Sequence, residues 1–358
     1  MRAALASAAR RAPSGTTTTI RIPDEALTPF IHAYQQAPLL PPLPSVQGQL
    51  SLIAAAVKAA HLLPNDMADS IRAVHDAQFS PFILLQGVPV APECKRLPVT
   101  SPMLDEMKPA YADHFCDAFA VQAALGSFAG EQYTFEMERG ENQFQLVTPV
   151  EGVPASSQSS VGGNAVNFHT EDPIPPVEKL QPRALTLLML RPAADPGTYT
   201  ALTTVESCAA DLLDASQGNL LETLAAPRFV HPVPDAFQIM QATHGGQIKH
   251  RLASEGAPVL YTREDRNGVP VPCILLQEYT RSLDSGDVEA SAALATLRDI
   301  LTRRASLHAL APGEMLIWAN TRCAHGRVGA VAPNFDGLDR LLSRTFHHPE
   351  RPALVVRA

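Results

Sequence analysis

Pro333-Asn334-Phe335-Asp336-Gly337-Leu338-Asp339-Arg340-Leu341-Leu342-Ser343-Arg344 reads as a turn followed by a strand. Asn, Asp and Gly over 334–337 supply the backbone freedom that a chain reversal needs. Arg340 and Arg344 share parity on the strand that follows, so both project to one side. A hairpin at this turn would fold Arg340 back beside His325, which stands in Trp318-Ala319-Asn320-Thr321-Arg322-Cys323-Ala324-His325-Gly326-Arg327. Two guanidiniums on an inward face are costly unless each meets an anion. The planar fork of arginine matches carboxylates through two parallel bonds. The pair therefore predicts two carboxylates near His325. Pairing with Asp or Glu on neighbouring strands is the competing expectation.

Upstream, His169-Thr170-Glu171 closes a predicted strand, Val166 to His169. Residues i and i+2 of a strand point to one face, so the imidazole and the carboxylate can converge on one ion. With His325 brought across by a second strand, two histidines and one carboxylate would leave adjacent positions open. That donor set suits a non-haem Fe(II) centre, which needs open positions for a chelating co-substrate and O₂. The chain holds 12 histidines, so a His-x-Glu pair by itself says little. It recurs at His348-Pro349-Glu350, read as a surface pair because proline interrupts a strand. His231, His244, His250 and His308 stand alone and read as structural.

Further short strand-like runs fill the chain: Phe82 to Leu85, Ala184 to Leu190, Tyr199 to Val205, Arg228 to His231, Val259 to Thr262, Cys273 to Gln277, Met315 to Trp318 and Leu341 to Phe346. Helical spacing appears over Ser45 to His75, Tyr111 to Phe128, Glu206 to Leu224 and Val288 to Ser306. The 32 prolines and 20 glycines keep elements short. The expected fold class is mainly β with flanking helices, as a sandwich or barrel. Residues 21–358 are expected to form one domain, with a β core over about 143–348 and helical support over about 45–130. Gly152 to Asn164, rich in Ser and Gly, is expected to be a mobile loop. Residues 1–20 read as a disordered tail. Arg2, Arg10 and Arg11, with no acid before Asp24, also suit a transit peptide.

The 358 residues are 46% hydrophobic and 18% charged, enough for a large core. A net charge of −8 lacks the basic footprint of a nucleic-acid binder. Five scattered cysteines without a CxxC pair argue against a disulfide framework or thiolate zinc site and suit a reducing cytoplasm. The strongest apolar run, Ala184 to Leu190, is far short of the roughly 20 residues of a membrane span.

His-Thr-Glu, the distal His-Gly-Arg and the pattern Asp336-Gly-x-x-Arg340-x-Leu342-x-Arg344 together resemble the clavaminate synthase-like group of 2-oxoglutarate oxygenases. That group lies within the taurine dioxygenase-like superfamily and includes hydroxylases of free arginine, asparagine and lysine. The resemblance runs from about Phe82 to Phe346 and is strongest in 166–206 and 315–346. It implies a double-stranded β-helix (jelly-roll) core, with Fe(II) on His169, Glu171 and His325 and 2-oxoglutarate and O₂ as co-substrates. It implies Arg340 on the distal carboxylate of 2-oxoglutarate, helped by a threonine, Thr203 being favoured over Thr204. It implies Arg344 on the substrate's α-carboxylate and a lid at Gly152–Asn164. Gln277 and Glu278 fall on the segment that reaches the substrate side chain. Arginine-specific relatives carry aspartates there, so lysine or another polar or basic amino acid is expected. The carboxylate at 171 implies hydroxylation, desaturation or ring closure rather than halogenation, with release of succinate and CO₂. The partner implied is a small-molecule amino acid, free or carrier-bound, without nucleic acid or membrane.

Two other classes compete. A zinc hydrolase on the same histidines would need an activating carboxylate near His169, and Asp172 has the wrong parity. A non-catalytic jelly-roll binding module would need neither a complete triad nor paired inward arginines.

Overall fold

The computed structural model describes residues 1–11, 17–37, 43–134, 141–153, 161–171, 181–193, 197–214, 219–232, 256–329 and 333–348. Its strands are β1 (Thr18–Arg21), β2 (Phe82–Gln86), β3 (Glu131–Tyr133), β4 (Gln145–Val147), β5 (Val166–His169), β6 (Ala184–Arg191), β7 (Tyr199–Thr204), β8 (Phe229–Val230), β9 (Leu260–Glu264), β10 (Pro270–Ile274), β11 (Arg281–Ser282), β12 (Ser306–His308), β13 (Glu314–Ala319), β14 (Cys323–Val328) and β15 (Leu341–His348). Its helices are α1 (Arg2–Arg11), α2 (Asp24–Gln35), α3 (Val46–Ala59), α4 (Asn65–Arg72), α5 (Pro109–Ala112), α6 (Cys116–Ser127), α7 (Ala209–Leu213), α8 (Leu220–Ala225) and α9 (Val288–Arg303).

The larger sheet runs β1-β2-β13-β6-β15-β3, with β4 also on β15; the smaller runs β12-β7-β14-β5. Side-chain alternation explains why they face each other. Leu316 and Trp318 on β13, Leu185 and Met189 on β6, and Leu342 and Phe346 on β15 share one apolar cluster with Leu202 on β7 and Cys323 on β14. Alternate residues of the larger sheet, Leu188, Met315 and Ile317, pack outward against α2, α3, α4 and α6. On the smaller sheet, Ala201 and Ala324 turn outward to Leu297 and Leu301 of α9 and to α7 and α8. The layers are therefore helix, sheet, sheet, helix, mostly sheet at the centre, as the strand pattern predicts.

Four expectations change. First, β14 and β15 do not form a hairpin, because they belong to opposite sheets. The turn between them is pinned by the Asp339 carboxylate, which accepts from the Asn334 and Phe335 amides (both 2.9 Å). Gly337, at φ 80°, leaves its carbonyl free to accept from Val99 N (2.8 Å). A Cβ at Gly337 would come within 2.9 Å of that same Val99 amide nitrogen. Second, the described part of the N-terminal tail is ordered. Leu5 of α1 is fully buried in the cluster with α7 and α8, and β1 pairs parallel with β2. Third, Ser45–His75 is broken rather than continuous, with a single 3-10 turn at Ala60–Leu62 before Pro64 and another at Ala73–His75 after α4. Fourth, His348 is buried at the end of β15 rather than on the surface, opposite Glu131.

His244, His250, Asp172, Glu350 and the 154–160 part of the expected lid lie outside the described residues. Among the described residues no single helix is long and apolar enough to cross a membrane.

Candidate metal centre

His325 follows Cys323 on the inward face of β14, and β14 pairs antiparallel with β5, setting His325 opposite His169. Phe168 packs outward with α9, so its neighbour His169 faces inward. The two imidazole centroids are 4.3 Å apart. The approach of β5 to β14 explains Gly326: a Cβ there would lie 2.5 Å from the Val166 carbonyl. The pairing register slips at this point, between His325 and Arg327.

Glu171 lies two residues beyond His169, outside the strand ladder, and side chains hold it there. Its amide donates to Asn320 Oδ1 (2.9 Å) and its carbonyl accepts from Asn320 Nδ2 (2.5 Å). Thr170, between the two candidate ligands, clamps Leu276. Thr170 N and Oγ1 donate to the Leu276 carbonyl (2.6 and 3.1 Å), and Leu276 N donates back to Oγ1 (3.1 Å).

Ligand atoms of His169, Glu171 and His325 all lie within 4.8 Å of one another, the group of this kind among the described residues. His325 Nε2 and Glu171 Oε1 are 3.7 Å apart. His169 Nδ1 is 2.8 Å from the Asn167 carbonyl, so it carries the proton and leaves Nε2 with a free lone pair. Burial, helped by the His325 ring, pushes His169 down to about 4, so it is neutral at pH 7. Burial alone would raise the Glu171 carboxyl. Arg344, the His325 hydrogen bond and His169 overcome this and hold it well below the usual carboxylate range. Two imidazoles and an ionised carboxylate converging on one point fit an Fe(II) ion.

Arg340 and Arg344 flank this point from the opposite sheet. Leu342, between them, and Phe346, beyond Arg344, belong to the inter-sheet cluster, so the shared parity read from the sequence holds. Arg344 donates through Nε and Nη2 to Gln145 Oε1 (2.9 and 2.5 Å) and through Nη1 to the Glu171 carboxylate. Its guanidinium lies 4.7 Å over the Phe346 ring. Arg340 is 5% exposed, and its Nε is buried with no hydrogen-bond partner. Among the described residues no carboxylate pairs with it. Burial, and then the charge of Arg327, lower its pKa to about 9. A buried guanidinium with an unpartnered Nε, on the face that Arg344 turns toward Glu171, fits the distal carboxylate of a bidentate 2-oxoacid.

Thr203 is misplaced for that role. Its hydroxyl donates to the Leu301 carbonyl of α9 (2.8 Å), on the outer side of the smaller sheet. Its register partner Ala324 also faces outward, whereas His325 pairs with Leu202. The inward residues of β7 are Thr200, Leu202 and Thr204. Thr200 lies opposite Arg327, the residue whose charge acts on Arg340. Thr204 already accepts from Ser207 N (3.0 Å). Parity within the run Thr203-Thr204 is ambiguous until the strand's faces are known.

Gln277 and Glu278 are tied back to the site through Thr170 and Leu276. Arg298 of α9 donates to both of their carbonyls (3.1 and 2.9 Å), and Gln277 N donates to Thr280 Oγ1 (2.8 Å). Three residues without a role in the sequence reading stand out: Asn320, Gln145 and Arg327. Arg327 donates to the carbonyls of Gly162 (2.6 Å) and Asn164 (2.8 Å from Nε), tying the end of the expected lid to β14. Asn320 and Arg327 sit in the stretch around His325; nothing in the sequence marks Gln145. His231 and His308 are buried, His231 against Thr280 and His308 against Phe82.

Comparison with known proteins follows the same lines. The chain is 29% identical over 232 residues to L-lysine 3-hydroxylase of Catenulispora acidiphila, covering 63% of this chain and 57% of that protein. It is 29% identical over 217 residues to L-asparagine oxygenase of Streptomyces coelicolor, covering 61% and 57%. The matches thus span somewhat more than half the length of these curated relatives. A crystal structure of asparagine oxygenase with Fe(II), 2S,3S-3-hydroxyasparagine and succinate superposes with a TM-score of 0.71 at 23% identity, over 92% of both chains. That likeness shows a shared fold. The family model for taurine catabolism dioxygenase TauD, TfdA matches residues 110–346, well over half of the chain, and the chain belongs to that family.

Proposed function

We propose that this chain is an Fe(II)- and 2-oxoglutarate-dependent oxygenase that hydroxylates an unactivated C–H of a free L-amino acid. Lysine or another polar or basic amino acid is favoured, and natural-product biosynthesis is the setting we propose. The observation that carries the reading is the buried Arg340, whose Nε has no partner among the described residues and which shares its strand face with Arg344, the partner of Glu171, near the cluster of His169, Glu171 and His325. A metal hydrolase or a plain binding module has no use for it. The relatives named for lysine and asparagine support the substrate class. We take the two facing sheets as a double-stranded β-helix and residues 21–358 as one oxygenase domain, a reading that the likeness to asparagine oxygenase supports. The five free cysteines suit a reducing cytoplasm.

In this reading His169 Nε2, a Glu171 oxygen and a His325 nitrogen hold the iron. When bound together with 2-oxoglutarate and O₂, iron supplies the oxidation that installs one oxygen on the substrate and leaves succinate and CO₂. Arg340 holds the distal carboxylate of the co-substrate, with the Thr200 hydroxyl rather than that of Thr203 beside it. Arg344, steadied by Gln145, offers its guanidinium to the substrate's α-carboxylate. Gln277 and Glu278 face the side chain, and an acidic group at 278 complements an ammonium. Trp318, Leu202 and Leu342 keep the floor of the site apolar. Fixed anchors at both ends of the substrate select which carbon faces the metal, since a misplacement of about 1 Å lowers rate on the order of 10²-fold.

The test is succinate release that requires both Fe(II) and 2-oxoglutarate, with a mass-spectrometric screen of free amino acids for a gain of one oxygen. Lysine or another polar or basic amino acid is the expected hit. A screen in which only a carrier-bound amino acid reacts would move the chemistry to that substrate. No dependence on 2-oxoglutarate with any substrate would overturn the reading.

A further inference from the structure

Glu171 is the one candidate ligand that no strand holds; Arg344 meets its carboxylate, and the Asn320 side chain holds its backbone. The Asn320 side chain is completely buried. Its Oδ1 accepts from Glu171 N, and the two hydrogens of Nδ2 go to the carbonyls of Glu171 (2.5 Å) and Pro182 (2.9 Å). Its own backbone amide donates to the Arg183 carbonyl (2.9 Å). One residue therefore grips the chain on both flanks of 172–180. It does so from the end of β13, three residues before the strand that carries His325.

We propose that Asn320 is the positioning residue of the metal centre: it sets where the Glu171 carboxylate stands relative to the two histidines. The proposal rests on the iron-centre reading above. It explains why an amide is needed at 320. Oδ1 must meet a donor while Nδ2 meets two acceptors, and only an amide offers both. Aspartate has the same shape but no donors, so it would face two carbonyls and add a negative charge near Glu171. Alanine would leave the Glu171 amide and both carbonyls without their partners. In metal centres, groups that orient a ligand typically affect affinity 10- to 100-fold without touching the ion.

The chain's one tryptophan, Trp318, provides the readout, its ring 5.0 Å from that of His325. Co(II) titrated into the metal-free full chain should quench Trp318 fluorescence and develop a d–d absorption band. Asn320→Asp and Asn320→Ala are expected to bind Co(II) roughly 10- to 100-fold more weakly. Their d–d band should change shape, because the carboxylate ligand is displaced. Leu297→Ala, on the buried face of α9, supplies a control of lowered stability with the centre intact, and it should retain native affinity and spectrum. Wild-type affinity and spectrum in Asn320→Asp would overturn the proposal. So would a loss no greater than that of Leu297→Ala at equal thermal stability. If the wild-type chain itself binds no Co(II), the iron-centre reading fails first, a separate outcome. Should Asn320→Ala not fold, the isosteric Asn320→Asp decides alone.

Discussion

Arg340 is largely buried and, among the described residues, no carboxylate pairs with it, so the consequences are opposite for stability and for function. Arg340→Met removes a buried unpaired charge and keeps much of the side chain's volume. The ligand-free variant should therefore be more stable, by about 1–3 kcal/mol in urea unfolding. The same change should weaken 2-oxoglutarate by at least roughly 100-fold, the equivalent of about 3 kcal/mol for a charged, two-bond contact. Unaltered co-substrate affinity, measured by calorimetry on the metal-loaded protein, would rule Arg340 out. The threonines divide in the same manner. Thr200→Val should weaken 2-oxoglutarate roughly 10- to 100-fold, as expected for one hydrogen bond to a charged carboxylate of about 1.5–3 kcal/mol. Thr203→Val should leave that affinity unchanged and lower stability by about 1 kcal/mol, because its hydroxyl serves the Leu301 carbonyl. At position 171, alanine should lose both metal and hydroxylation. Full activity of Glu171→Ala without added carboxylate would remove the triad from consideration.

The element that decides the site is the β14–β5 pair. His325 meets His169 only because Gly326 lets the two backbones approach, the space for a Cβ being 2.5 Å from the Val166 carbonyl. Gly326→Ala forces the strands apart. It is expected to lower stability by about 1–3 kcal/mol, as overpacking does, and to weaken Co(II) at least tenfold by Trp318 quenching. A variant that loses stability but keeps native metal affinity would show that the interstrand distance is not what sets the centre. The strand carrying Arg340 and Arg344 adds a different lesson. Their common face follows from period-two geometry and survives in the structure. The hairpin expected from the turn does not. A turn-rich stretch says that the chain reverses, but which strand it pairs with next depends on where apolar faces are covered. Here β15 is drawn into the larger sheet between β6 on one side and β3 and β4 on the other.

At the scale of the whole molecule, buried neutral histidines tie stability to pH. Burial pushes His75 down to about 3, and His231 and His347 down to about 4. His347 Nδ1 faces the Gly130 carbonyl (3.2 Å) and Nε2 faces Thr345 Oγ1 (2.7 Å), and burial outweighs the carbonyl's pull toward the charged form. In the unfolded chain each takes a proton near pH 6.5, while the folded chain refuses it until about pH 4 or below. The unfolded state therefore binds more protons in this window, and stability rises with pH there and falls as pH drops. Urea midpoints should decline from pH 7 through 5.5 to 4.5, and His347→Gln should flatten part of that decline. A midpoint independent of pH across this range would contradict the burial of these rings.

The sequence by itself determined the donor types, the inward parity of Arg340 and Arg344 and the mainly β layering, because these depend on residue chemistry and on the repeat of an extended backbone. It also carried the family, through motifs spread over 166–206 and 315–346. Tertiary structure decided the rest. It set which sheet each strand joins, turned Thr203 outward and Thr200 inward, and buried His348. It brought Asn320 to Glu171 across 149 residues and Gln145 to Arg344 across 199. Local geometry repeats along the chain and can be read from it. Contacts between residues that far apart exist only once the apolar faces have chosen their partners.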